Sequence, residues 1–155
     1  MGKIINIFVS HAGEDENKIE PVKQLMRNKG LIVKDDSITE SEPNDASNNN
    51  YIKYQILADR INWAGCMVVL IGDKTASKDW VNWEITYAMK KGKRIVGVFL
   101  QGAKDNDIPD ALAKYGDALV GWNSNKIADA INGENIWLDS SGKASAEKNI
   151  FHSTC

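Results

Sequence analysis

The chain has 155 residues, 43% apolar and 26% charged, with a formal net charge of −2. One domain of this size buries roughly two-thirds of the surface its unfolded chain exposes, so it folds without staples, and a composition this ordinary excludes disorder along its whole length. Lysines and arginines are dispersed under a slight acidic excess, which argues against nucleic acid or an anionic membrane as the partner.

The opening MGKIINIFVS carries one positive residue and an apolar run too short for a signal peptide or a membrane span. Gly2 also lacks the Ser or Thr that a myristoylation site needs. The segment reads as a first strand, 3–9, of a cytoplasmic protein. Residues 15–29 place Ile19, Val22, Leu25 and Met26 on one helical stripe that stops at Gly30. A second strand, 31–34, runs into DDSITESEPNDASNNN (35–50). That stretch is acidic and Asn-rich, with Ile38 as its one large apolar residue, and it must be a long surface loop. A helix over 51–64 repeats Ile52, Ile56, Leu57 and Ile61, and the third strand is CMVVLIG, 66–72.

The next helix, 79–91, carries Val81, Ile85, Ala88 and Met89 on one stripe and breaks at Gly92. Strand 94–100 follows, then a short helix at 109–115 opened by Pro109, a short strand at 118–122, and a helix at 124–132 capped by Asn123 or Ser124. The near-continuous apolar strands fit a parallel sheet covered on both faces. Alternation of strand and helix gives an α/β protein, a flavodoxin-like three-layer sandwich around a central five-stranded parallel sheet. The folded domain is expected over 1–135. IWL (136–138), the linker-like DSSGKASAEKN and IFHSTC make up a tail, 136–155.

Several chemistries are excluded by what is missing. The two cysteines, Cys66 and Cys155, and the two histidines, His11 and His152, form no local ligand pair for a metal. Cys66 sits within an apolar run, as a small reduced hydrophobe does. No GxGxxG follows the first strand, and SSGKAS lacks the upstream glycine and the hydroxyl residue after Lys143 that a phosphate loop requires.

In an open parallel sheet, ligands collect at the carboxyl ends of the strands. Those ends deliver Ser10 and His11, then Asp35 and Asp36, then Gly72 and Asp73, then Gln101. The helix beginning near Asp79 starts at the same edge. Within it Trp80 and Glu84 share a face, about 6 Å apart along the axis, with Glu84 beside the buried stripe. A carboxylate in a crevice lined by aromatics can stabilise or attack developing positive charge, as carboxylates do at sugar oxocarbenium ions. The plainer account, an acid near a helix start among amphipathic tryptophans, stays open on residue types alone.

Five stretches resemble a known family: NIFVSHAGEDE (6–16), the Asp36-Ser37 loop, VVLIGDKTASKDWVNWEI (68–85), GKRIVGVFL (92–100) and LVGWNSNKIADAI (119–131). Together they are similar to the TIR-like domains of bacterial antiphage systems, in particular the ThsB proteins of Thoeris defence. The strongest elements are Ser77, Trp80 and Glu84 in sequence and the Ser-His that ends the first strand. The resemblance implies cleavage of the nicotinamide–ribose bond, with NAD as substrate rather than cofactor, by a glycohydrolase or cyclase. Glu84 would be the catalytic acid. Phe8, Ser10 and His11 would line the nicotinamide and ribose pocket, Asp36 and Ser37 would belong to a closing loop, and Trp80 would stack on substrate, with Asn82 and Asn123 as further candidates. It also implies a product that signals to a partner effector, with a phage component as trigger.

Three alternatives stand beside that reading. An adaptor on the same fold would use its helix faces to bind other copies or a partner. A phosphoacceptor receiver would need an acidic pair after the first strand to hold Mg²⁺, where this chain has Ser10 and His11. A nucleoside deoxyribosyltransferase-like enzyme would use similar glycosidic chemistry on another substrate. The tail offers one more possibility, folding back to bring His152 or Cys155 near Glu84.

Overall fold

The computed structural model describes residues 3–35 and 49–144. Five strands, β1 (Lys3–Ser10), β2 (Leu31–Asp35), β3 (Cys66–Ile71), β4 (Arg94–Phe99) and β5 (Ala118–Val120), form one parallel sheet in the order β2-β1-β3-β4-β5. The fold is therefore the expected flavodoxin-like one. Its strand order reverses between β1 and β3, which makes the carboxyl edge there the place for a ligand.

Period-two alternation sorts the strand side chains between two cores. Ile7, Val9, Val68, Leu70, Val96 and Val98 face one layer, formed by α1 (Ile19–Arg27) and α5 (Ser124–Ile131). Phe8, Met67, Val69, Ile71, Ile95 and Phe99 face the other, formed by α2 (Asn49–Trp63), α3 (Asp79–Lys90) and α4 (Asp110–Tyr115). Ser10 shares the parity of Phe8 and so points toward α3. This register decides the site.

Two stretches differ from the sequence expectation by more than two residues. The first helix begins at Ile19, and the residues before it, Gly13–Lys18, wind as a 3-10 helix. Pro21 is the reason: it has no N–H to bond back to residue 17, and its ring crowds that carbonyl, so it is tolerated in a first turn but not farther in. The second difference is at 136–138. Leu119 N–H donates to the Ile136 carbonyl and Leu138 N–H to the Leu119 carbonyl, so this segment runs alongside β5. Ile136 and Leu138 pack on one core and Trp137 on the other. A tight turn follows, in which Asp139 Oδ1 accepts from the N–H groups of Ser141 and Lys143. The SSGK stretch is thus a carboxylate-bound turn. His152 and Cys155 lie outside the described residues.

Candidate active site

Glu84 is 4% exposed and belongs to the buried stripe of α3 together with Val81, Ile85 and Ala88. The sequence reading placed it beside that stripe. Its spacing, three after Val81 and four before Ala88, puts it on the same face, and only its polarity suggested otherwise. Its carboxylate faces the end of β1, where Ser10 Oγ–H donates to Oε1 at 2.5 Å. Ser10 itself is 1% exposed. This bond fixes the orientation of the Glu84 carboxylate at the β1/β3 switch point.

His11 follows at 6% exposure, with Nδ1 3.1 Å from the Val9 carbonyl oxygen, to which the Nδ1-protonated ring donates. This bond fixes the imidazole against the strand end. Phe8 is 2% exposed, in the core beneath α2 and α3, and forms floor rather than wall. Trp80 is half-buried one helical turn before Glu84, with the Lys78 ammonium 5.3 Å from its ring centroid. The second tryptophan belongs elsewhere: Trp83 stacks on Tyr87 with ring centroids 5.2 Å apart, and Tyr87 OH accepts from Asn62 on α2.

The two asparagine candidates have local employment. Asn82 Oδ1 accepts from the backbone N–H of Ala111, tying α3 to the start of α4. Asn123 is exposed beyond the end of β5, where its side chain caps α5 by accepting from Lys126 N–H. Neither converges on the Ser10–Glu84 pair. Asp36 and Ser37 lie outside the described residues.

Three groups at this edge were not among the site residues expected for the NAD-cleaving reading. Thr75, fully buried, accepts from Gly72 N–H at 2.8 Å and donates to the Leu70 carbonyl at 3.3 Å, which ends β3 in a tight turn. Glu14 and Lys78 pair across the edge. Asp15 packs its carboxylate against Gly72, where a Cβ would overlap it. Its Oδ2 is buried with no hydrogen-bond partner among the described residues.

Burial first, then the charges of Asp73 and Glu14, raise the Asp15 pKa above its ordinary value of 3.8. The native state therefore binds a proton more tightly than the unfolded chain does, and stability falls as pH rises from about 3.8 through the raised value. Asp15→Asn is expected to melt higher than wild type at pH 7, with the gap closing as the pH is lowered toward 3.8. Melting curves across that range check this, and a variant less stable at pH 7 would contradict it.

Elsewhere the chain offers less. A cavity of about 540 Å³ opens at the opposite, amino edge, lined in part by Ile4, Trp63, Cys66 and Arg94. The Arg94 guanidinium is already bonded to the Ala130 and Glu134 carbonyls and to Asn135. Burial pushes the Cys66 thiol up to about 12, so no thiolate forms there near neutrality. No group of three or more metal-ligating side chains occurs among the described residues, and no helix among them is long and apolar enough to cross a membrane.

A family model for the TIR-like domain of the Thoeris protein ThsB matches residues 8–105, a span that holds every site element from Phe8 to Glu84. No curated protein matches the chain. Among solved structures it is similar to a CMP N-glycosidase of Clostridium botulinum, with a TM-score of 0.50 and 17% identity over 82% of this chain and 98% of the other. The TIR domains of the activated Roq1 resistosome align at TM-score 0.46 and 14% identity, over 97% of this chain and 99% of theirs. A conserved protein of Enterococcus faecalis aligns at 0.45 and 16%, over 96% of each chain. With more than half of its length matched by the family model, the chain belongs to the TIR-like domain family of Thoeris ThsB proteins.

Proposed function

We propose that this protein cleaves the bond between nicotinamide and ribose in NAD, in the crevice between the end of β1 and the start of α3. We further propose that the ADP-ribose-derived product, in cyclic form, signals to a partner effector in antiphage defence. The observation that carries the proposal is the Glu84 carboxylate, buried and held at 2.5 Å by Ser10 at the switch point of the sheet. A buried carboxylate is expensive to maintain, and it serves best where positive charge develops.

NAD supplies a cationic leaving group, so the reaction needs no acid to expel it. It needs the ribose positioned and the oxocarbenium-like transition state stabilised. Glu84 supplies the charge and Ser10 holds it oriented, so no reorganisation is required as the bond breaks. Trp80, one turn toward the mouth, offers an aromatic face to the substrate. Water as attacking group gives linear ADP-ribose; an adenine nitrogen or a ribose hydroxyl of the same molecule gives a cyclic isomer. NAD is then substrate, and the scheme calls for no cofactor. A phage component as trigger, self-association of the domain and a cytoplasmic setting complete the proposal.

The rival reading is a non-catalytic adaptor on the same scaffold. Mass spectrometry of small molecules from cells expressing wild type or Glu84→Gln, with and without phage, separates the two. A Glu84-dependent ADP-ribose species supports the enzyme, and its retention distinguishes linear from cyclic. Protection retained by the variant with no such product would establish the adaptor.

A further inference from the structure

The Ser10–Glu84 floor provides for a ribose cation but offers nothing to a phosphate. The connection from β3 to α3 brings two lysines, Lys74 and Lys78, to the same edge. Lys78 Nζ contacts both carboxylate oxygens of Glu14, at 3.2 and 3.3 Å. Because Glu14 follows β1 and Lys78 follows β3, and these strands are neighbours, the pair crosses the switch point and joins the two rims of the crevice. A backbone hydrogen bond first, and the Lys78 hydrogen bond next, hold the Glu14 pKa below its ordinary value. The ammonium also lies over the Trp80 ring, whose face restricts where it can go.

We propose that Lys78 is the phosphate-recognising residue of this site: Glu14 holds it in the absence of ligand, and it passes to the 5′-diphosphate of a dinucleotide bound over Glu84. The inference rests on the proposed nucleotide-cleaving role of the crevice. Lys78 is the N-cap residue just before α3, six residues ahead of Glu84, which puts their backbones about 9 Å apart along the axis at 1.5 Å per residue. A ribose and its 5′-diphosphate bridge such a span. The Glu14 carboxylate already presents two oxygens to one ammonium, much as a phosphate does. An exposed pair of this kind contributes little stability, with the side chains 22% and 50% exposed, and a diphosphate offers the lysine more charge than one carboxylate.

Binding of ADP-ribose and of adenosine to the full chain, by calorimetry at several salt concentrations, tests the exchange. Lys78→Met is expected to weaken ADP-ribose at least tenfold and to lessen the salt dependence of its binding, while adenosine is unchanged. Glu14→Gln, which removes the competing carboxylate, is expected to tighten ADP-ribose about threefold, an effect that a purely structural tie would not give. Wild-type affinity in Lys78→Met, weakening in Glu14→Gln, or no ADP-ribose binding by wild type would each overturn the proposal. Nicotinamide release from NAD keeps the two readings apart. Release with an unchanged KM in Lys78→Met sinks the lysine's role alone. Lys78-dependent ADP-ribose binding without release sinks the NAD-cleaving reading alone.

Discussion

Replacing Glu84 by glutamine is expected to lower NAD cleavage on the order of a thousandfold, the scale of losing a preorganised charge at the reacting centre, while leaving thermal stability equal to or above wild type. Glutamine keeps the shape of the side chain and still offers an oxygen to the Ser10 hydroxyl. It removes a charge from a position that is 4% exposed, where loss of hydration makes a charge costly even when it is hydrogen-bonded. Loss of activity without loss of stability is the signature of a group kept for chemistry. A residue kept for packing would lose both together. Single-turnover assays beside melting curves measure the two effects. A variant that cleaves NAD at the wild-type rate, or that fails to fold, would contradict this account of the carboxylate.

The largest effect on stability is expected from Gly97→Val. Gly97 lies on β4 facing the α3/α4 layer, and a Cβ there would stand 2.7 Å from Leu112 Cδ2 and 2.8 Å from Leu119 Cδ1. Both are fully buried, so neither methyl can move into solvent. Overpacking of this kind costs about 3 kcal/mol, which for a chain of this length lowers the Tm by roughly 6–12 °C. Urea denaturation should show a reduced midpoint with an unchanged slope. Gly121→Ala, with nothing within 4 Å of the added carbon, is the matched control and is expected to change little. Equal stabilities for the two variants would mean that α4 does not pack on β4 through Leu112.

The strands were legible because each is a short, nearly continuous β-branched run, and that pattern alone implied a parallel sheet. The carboxyl-edge rule then brought Ser10 and the start of α3 together before any contact was known. Burial of Glu84 was not legible. An acid is assigned to a surface by its polarity, and the hydroxyl that receives it inside, that of Ser10, is 74 positions away. The same holds for Glu14 with Lys78, and for Asp15 against Gly72, where the tertiary fold brings together segments that the chain keeps far apart. Helical spacing placed Trp80 and Glu84 on one face, and by the same interval sets Trp83 beside Tyr87, but it could not say that Asn82 would turn toward α4. Residues 136–138 read as tail because three residues are too few for a strand pattern and a polar linker follows. Their alternation across the two cores is visible only once β5 is beside them.

The most direct test of the central claim is nicotinamide release from NAD by the purified chain, wild type against Glu84→Gln, with all products resolved by mass spectrometry. Wild type is expected to release nicotinamide with an ADP-ribose-derived co-product in equal amount, and the variant to lose release almost completely. Intact NAD with both proteins, or equal release by both, would contradict that claim.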